Sequence, residues 1–125
     1  QVKVRKDSIE EYTKYNKLDL VEDLKKREFF DFVVSRAFAS LRVFAEVGIP
    51  LLKVGGTLIA MKGAKGKEEL FEATKALKIL HSSVSNINYE NLPSGDSRTI
   101  ILVKKEEKTM KAYPRSWAEV MSKPL

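Results

Sequence analysis

Arg36 is the residue of this chain best placed to do chemistry. It follows FFDFVVS, an apolar run that reads as a buried strand, and precedes AFASLRVFAEV, whose apolar positions recur at helical spacing. In open α/β sheets, ligands sit beyond the carboxyl ends of strands, where a polar side chain at such a junction can reach them. A guanidinium there offers a rigid fork of donors to a carboxylate or phosphate. The plainer alternative is that Arg36 caps the strand end or pairs with a surface carboxylate. A second concentration of chemistry lies near the C-terminus, where Lys104, Lys105, Lys108, Lys111, Arg115 and Lys123 surround Tyr113 and Trp117. Aromatics among cations can stack on nucleobases while the cations meet phosphate. The same two rings can instead pack the tail back onto the domain. Arg115, and next Lys123, are the expected phosphate contacts.

Other reaction types find little material. His81 is the sole histidine and falls at the end of a predicted helix, the position of a C-terminal cap. With no cysteine there is no thiol nucleophile, thiolate metal site or disulfide framework. HxH and HExxH patterns are absent, which leaves no expected metal ligands. Glu10 and Glu11 suit the electrostatics of a helix N-terminus better than acid–base work. The formal net charge of +6 favours a polyanionic partner, although stretches such as KGKEELFEATK interleave both signs as a solvated helix face does. Lys53 and Lys62 interrupt the longest apolar stretch, so no membrane span is expected. A cytoplasmic location fits this composition.

The elements that must position these residues alternate between strand and helix, the pattern of a partly parallel α/β sheet. Strands are expected at residues 2–4, 32–34, 57–61, 85–91 and 99–104. Asp7 or Ser8 caps a helix that runs to about Asn16, and Leu18, Val21 and Leu24 mark a second helical segment. Leu41, Phe44, Ala45 and Val47 give the helix after Arg36 a broad apolar surface, and Pro50 ends it near Gly48. Gly55-Gly56 reads as a helix-to-strand turn rather than a phosphate cradle. Leu70, Ala73, Leu77 and Leu80 form one stripe of a helix over residues 67–80. The last two strands, joined through Pro93-Ser94-Gly95-Asp96, pair antiparallel.

FDFVVSRAFASL, LLKVGGTLIAMKG, SRTIILVKK and the terminal YPR…KPL together resemble the bacterial GidB/RsmG-type small-subunit ribosomal RNA methyltransferases. The resemblance runs from near Val2 to Leu125. It implies a Rossmann-like class I methyltransferase sheet, mostly parallel with an antiparallel terminal hairpin, whose last strand inserts beside the strand at residues 57–61. It also implies S-adenosyl-L-methionine as cofactor and a guanosine of small-subunit rRNA as acceptor, methylated at the purine N7. Such a nitrogen already carries an in-plane lone pair, so the reaction needs alignment rather than a general base. No catalytic side chain is therefore expected.

By the same resemblance, Ile9-Glu10 matches the family's Ala-Glu pair beside the adenine end, with Ile9 in place of the usual small residue. Arg36 matches the family's arginine on the methionine side or the adjoining substrate pocket. The family's glycine-rich cofactor loop has no counterpart and would precede Val2. The chain thus resembles the C-terminal half of the sheet: residues 1–105 a partial methyltransferase domain, and residues 106–125 a basic tail packed on it or extending from it. An uncovered flank of the strand at residues 32–34 would favour self-association. The alternative function is a non-catalytic basic RNA-binding module or an inactive fragment.

Overall fold

Apolar alternation places the strands, and the chain between them supplies the cover. A computed structural model describes residues 27–36 and 40–125. Strand β1 (Phe30–Arg36) leads to helix α1 (Leu41–Gly48), a 3-10 turn (Ile49–Leu51) and β2 (Leu52–Lys62). Helices α2 (Gly66–Glu72) and α3 (Thr74–Ile79) follow, then β3 (Ser82–Asn91), β4 (Ser97–Lys105) and α4 (Trp117–Ser122). The four strands lie in the order β1-β2-β4-β3. β1 and β2 are parallel, while β4 pairs antiparallel with both β2 and β3. The last strand thus inserts beside β2, as the resemblance implied, and the antiparallel terminal hairpin forms. Where a mostly parallel sheet was expected, the four described strands make a mixed α/β sheet with one parallel and two antiparallel pairings. The strand expected at residues 2–4, the two N-terminal helical segments, Ile9 and Glu10 lie outside the described residues.

One face of the sheet carries the core. Leu58 and Ala60 of β2 and Ile101 and Val103 of β4 are buried against Leu41, Phe44, Ala45, Leu77 and Leu80 of the helical layer. Pro50 has no N–H to continue the helix, and α1 ends at Gly48 as expected before the 3-10 turn. Gly48 also lets α1 approach the sheet, since a Cβ there would stand 2.7 Å from Leu58 Cδ1.

Two expectations about elements are corrected. The helix over residues 67–80 is two helices meeting at Ala73, where the Thr74 hydroxyl donates to the Phe71 carbonyl at 2.9 Å and competes with the helical ladder. The stripe itself survives the break, with Ala73, Leu77 and Leu80 buried and Leu70 packed on the cluster. Gly55-Gly56 is not a turn before β2 but lies within it. Phe30 pairs with Leu52 and Phe32 with Thr57, so residues 53–56 bulge from the ladder. Gly55 adopts φ +91°, and a Cβ on Gly56 would lie 2.9 Å from the Asp31 carbonyl oxygen.

Alternation along β4 has an unusual result. Thr99, Ile101, Val103 and Lys105 share the core face, so the strand ends by carrying a lysine into the interior at 0% exposure. Its ammonium donates to the carbonyls of Ile49 at 3.0 Å and Leu52 at 2.8 Å, and pairs with Glu28 Oε2 at 2.8 Å. Burial lowers the pKa of Lys105, opposed by Glu28. For Glu28, burial works to raise the pKa, but hydrogen bonds from Lys105 and the Thr109 N–H outweigh it and hold the carboxyl below its usual value.

A carboxyl whose folded pKa is depressed stabilises the fold above its unfolded pKa of 4.5, and that stability disappears as pH falls through the folded value. The urea midpoint is therefore expected to be level above about pH 5 and to fall below pH 4.5, with a shallower fall in Glu28→Gln. Lys105→Met strands an acidic group and two carbonyls and should cost about 3–5 kcal/mol in urea titration. An unchanged midpoint would show that the buried pair is not holding these segments together.

Candidate functional site

The carboxyl ends of the parallel strands and the hairpin tip converge on one rim. Arg36 ends β1 in register with Met61, and Met61 pairs with Ile100 of β4. One step further along, Lys62 pairs with Thr99, and Thr99 with Tyr89 of β3. The register thus lays Arg36, Met61 and Ile100 in one row across the sheet, and Lys62, Thr99 and Tyr89 in the next. Arg36 lies at the strand end that the sequence marked for a ligand.

The loop leaving β2 is locked against this rim. The Thr99 hydroxyl donates to the Gly63 carbonyl at 3.1 Å, and a Cβ on Gly66 would stand 2.6 Å from Thr99 Cβ. Only glycine fits there without displacement. Lys62 continues the buried face of Leu58 and Ala60, and its ammonium lies 3.0 Å from Glu69 Oε1. The same oxygen accepts the Leu41 N–H at 3.0 Å, so a carboxylate from α2 satisfies the first turn of α1. This three-way contact fixes the helix after Arg36 against the end of β2.

Immediately beyond it, α2 and the β3–β4 hairpin bound a groove of about 310 Å³. Lys67, Tyr89, Glu90, Asn91, Arg98 and Thr99 are among its walls. The Lys67 ammonium stands 4.7 Å from the centroid of the Tyr89 ring. Sequence reasoning missed this group. Its signal was Tyr89 itself, a large ring in phase with Ile87 between the polar residues Asn86, Asn88 and Glu90. Among the described residues no cluster of three His, Cys, Asp or Glu side chains could hold a metal, and no helix is long and apolar enough to cross a membrane.

The basic tail packs on the domain. Val120 is buried, and Tyr113, Trp117 and Leu125 pack on the core cluster. Arg27 donates to the carbonyls of Thr109, Met110 and Tyr113. Arg115, expected as an RNA contact, is engaged within the fold by Glu46, a wholly buried carboxylate on α1. Its Nε donates to Glu46 Oε2 at 2.9 Å, its Nη2 to Oε1 at 2.8 Å, and its backbone N–H to Oε2 at 2.8 Å. The Glu46 bonds raise the pKa of Arg115 further. Nη2 also donates to the carbonyl of Lys123, whose own side chain is exposed. His81 sits just past α3 at φ 56°, its N–H donating to the Lys78 carbonyl and its Nδ1 2.9 Å from the Lys108 carbonyl oxygen, a cap as expected.

Comparisons with known proteins agree with this architecture. A family model described as rRNA small subunit methyltransferase G, GidB, matches residues 6–100. A Streptococcus agalactiae protein named ribosomal RNA small subunit methyltransferase G is 48% identical over 86% of this chain and 45% of its own length. A Leuconostoc citreum protein of the same name is 41% identical over the same shares. The chain therefore spans a little under half the length of the curated relatives it matches. Among solved structures, a mutant of the 16S rRNA (adenine(1408)-N(1))-methyltransferase from Catenulisporales acidiphilia superposes with a TM-score of 0.51 at 11% identity, covering 72% of this chain and 54% of that one. At that identity the likeness is one of fold.

The Arg115 geometry separates an anchor from an RNA contact. Arg115→Ala leaves the buried Glu46 carboxylate uncompensated and is expected to cost about 3–5 kcal/mol in urea unfolding. Stability equal to that of the parent would return Arg115 to the role of a solvated, RNA-facing cation.

Proposed function

This chain belongs to the rRNA small subunit methyltransferase G family, and from that membership we propose that it forms part of an S-adenosylmethionine-dependent enzyme that methylates a guanosine of small-subunit ribosomal RNA in the cytoplasm. The observation that carries this reading is the place of Arg36 in the sheet. Arg36 ends β1 beside the parallel strand β2, at the end of the sheet where α/β folds bind ligands.

The family resemblance supplies the donor set. On it, the Arg36 guanidinium would meet the methionine carboxylate, and Ile9-Glu10 would serve the adenosine end, where a carboxylate suits hydroxyl and amine donors. Bound there, the cofactor supplies an electrophilic methyl group. The chain's own residues then bind and orient, since the acceptor nitrogen has no proton to remove. The Lys62–Glu69–Leu41 contact keeps the β1–α1 junction and the end of β2 at fixed separation. Lys123 offers its charge to the RNA, while Arg115 acts on that contact by holding the tail in place. Among the described residues β1 is the sheet's edge, so the same strand is where copies of this chain would self-associate.

Calorimetric titration with S-adenosylmethionine tests this reading at its root. Saturable heat at micromolar cofactor is the expected result. In a chimaera completing this chain to the length of the Streptococcus agalactiae relative, Arg36→Ala should lower methyl transfer by about 1–3 kcal/mol of lost charge-assisted binding while leaving the urea midpoint near that of the parent. No cofactor heat in either form, with RNA binding retained, would favour a non-catalytic RNA-binding module instead.

A further inference from the structure

We propose that the groove between α2 and the β3–β4 hairpin receives one unpaired nucleotide of the RNA, its base stacked on Tyr89 and its phosphate met by Lys67. This rests on the reading of the chain as an RNA methyltransferase and adds a subsite to it. The argument begins with Tyr89. Its partner Thr99 is buried, yet the ring itself is 54% exposed, because the core face of β3 runs on past the end of its helical cover. The ring continues an interior surface into solvent and presents a π face there.

The groove's size and lining choose the occupant. At about 310 Å³ it lies at the small end of ligand-sized sites, enough for a mononucleotide and far too narrow for a duplex. Lys67 is the cation on the Tyr89 side of the groove, while Glu90 and Arg98, paired one step out of phase with Tyr89 and Thr99, border it at the strand edge. The Lys67 ammonium stands over the Tyr89 ring and holds it in place until a ligand arrives. A base takes the ammonium's place on the ring, and the flexible four-carbon stem carries the charge to the phosphate. The Asn91 side-chain oxygen, at the groove's wall, accepts the Ser97 hydroxyl, which leaves the amide N–H groups of Asn91 as donors for a base edge.

Strand order sets which nucleotide this is. β3 lies three strands from β1, roughly 14 Å at about 4.8 Å per strand. A base on Tyr89 is therefore a flanking nucleotide, separate from the one presented near Arg36. Stacking of this type requires splayed, single-stranded bases, so the subsite discriminates against paired RNA.

The test uses the 125-residue chain and a fluorescently labelled single-stranded RNA octamer, followed by anisotropy, with the same octamer in a duplex as comparison. A 2-aminopurine in the octamer reports stacking through quenching. The parent should prefer the single strand and quench the probe. Tyr89→Ala should weaken binding by on the order of 5- to 100-fold and abolish quenching, while Tyr89→Phe retains both. Lys67→Gln should lower the slope of affinity against salt by about 0.7 without abolishing quenching. Equal affinity in Tyr89→Ala, a preference for duplex, or no RNA binding by the parent would each overturn the subsite. S-adenosylmethionine calorimetry on this chain and on the completed chimaera separates the two readings: cofactor heat in either form with no effect at Tyr89 sinks the subsite alone, and a Tyr89 effect with no cofactor heat in both forms sinks the enzyme reading alone.

Discussion

The ammonium of Lys105, removed from water and held by three oxygens, is the constraint on which the arrangement of segments depends. It stands at the end of β4, yet its acceptors come from the 3-10 turn, the start of β2 and the residue pair before β1. An isolated charge in that position would be prohibitive. Three segments distant in sequence must therefore meet in one geometry for the lysine to be tolerated at all. Glu28 is fixed in turn by the Thr109 N–H, and its own N–H donates to the Pro50 carbonyl, which draws the tail into the same knot.

This knot lies at one end of the sheet only. Because β4 is antiparallel to β2, the C-terminal end of β4 stands at the amino end of the parallel pair. The bulge at Gly55-Gly56 belongs to that same end. There, polar groups are consumed by one another. At the opposite end the fold presents Arg36, the locked Gly63–Gly66 turn and a groove with an aromatic wall. The sheet is closed by these contacts at one end and bordered by a groove at the other. The Glu46–Arg115 contact acts on the outer side of α1, fastening the basic tail over the helix that follows Arg36.

Much of this was legible in the sequence. Strand alternation, the Pro50 stop and the antiparallel hairpin follow from local rules, and the structure keeps them. The family was readable in VSRAF and YPR…KPL. What escaped was decided partly by local competition and partly by partners far along the chain. A threonine inside a helical stripe can face solvent or bond back to the preceding turn, as Thr74 does to Phe71, and the glycine pair looks the same before a strand as inside its bulge. Arg115 sat in a run of cations, and its commitment to Glu46 depends on a carboxylate 69 residues away on α1, which no local pattern links to it. Lys105 was readable in principle, since it falls in phase with Ile101 and Val103, but a terminal lysine on a strand usually turns to solvent.

The account's central claim is that the carboxyl end of the sheet is the working end. Ultraviolet cross-linking of the chain to a single-stranded RNA, with adducts mapped by mass spectrometry, tests it most directly. The account predicts adducts in the segments holding Lys67, Tyr89 and Arg98, competed away by unlabelled single strand. Adducts confined to the opposite end, around Lys53, Val54 and residues 104–108, would contradict it.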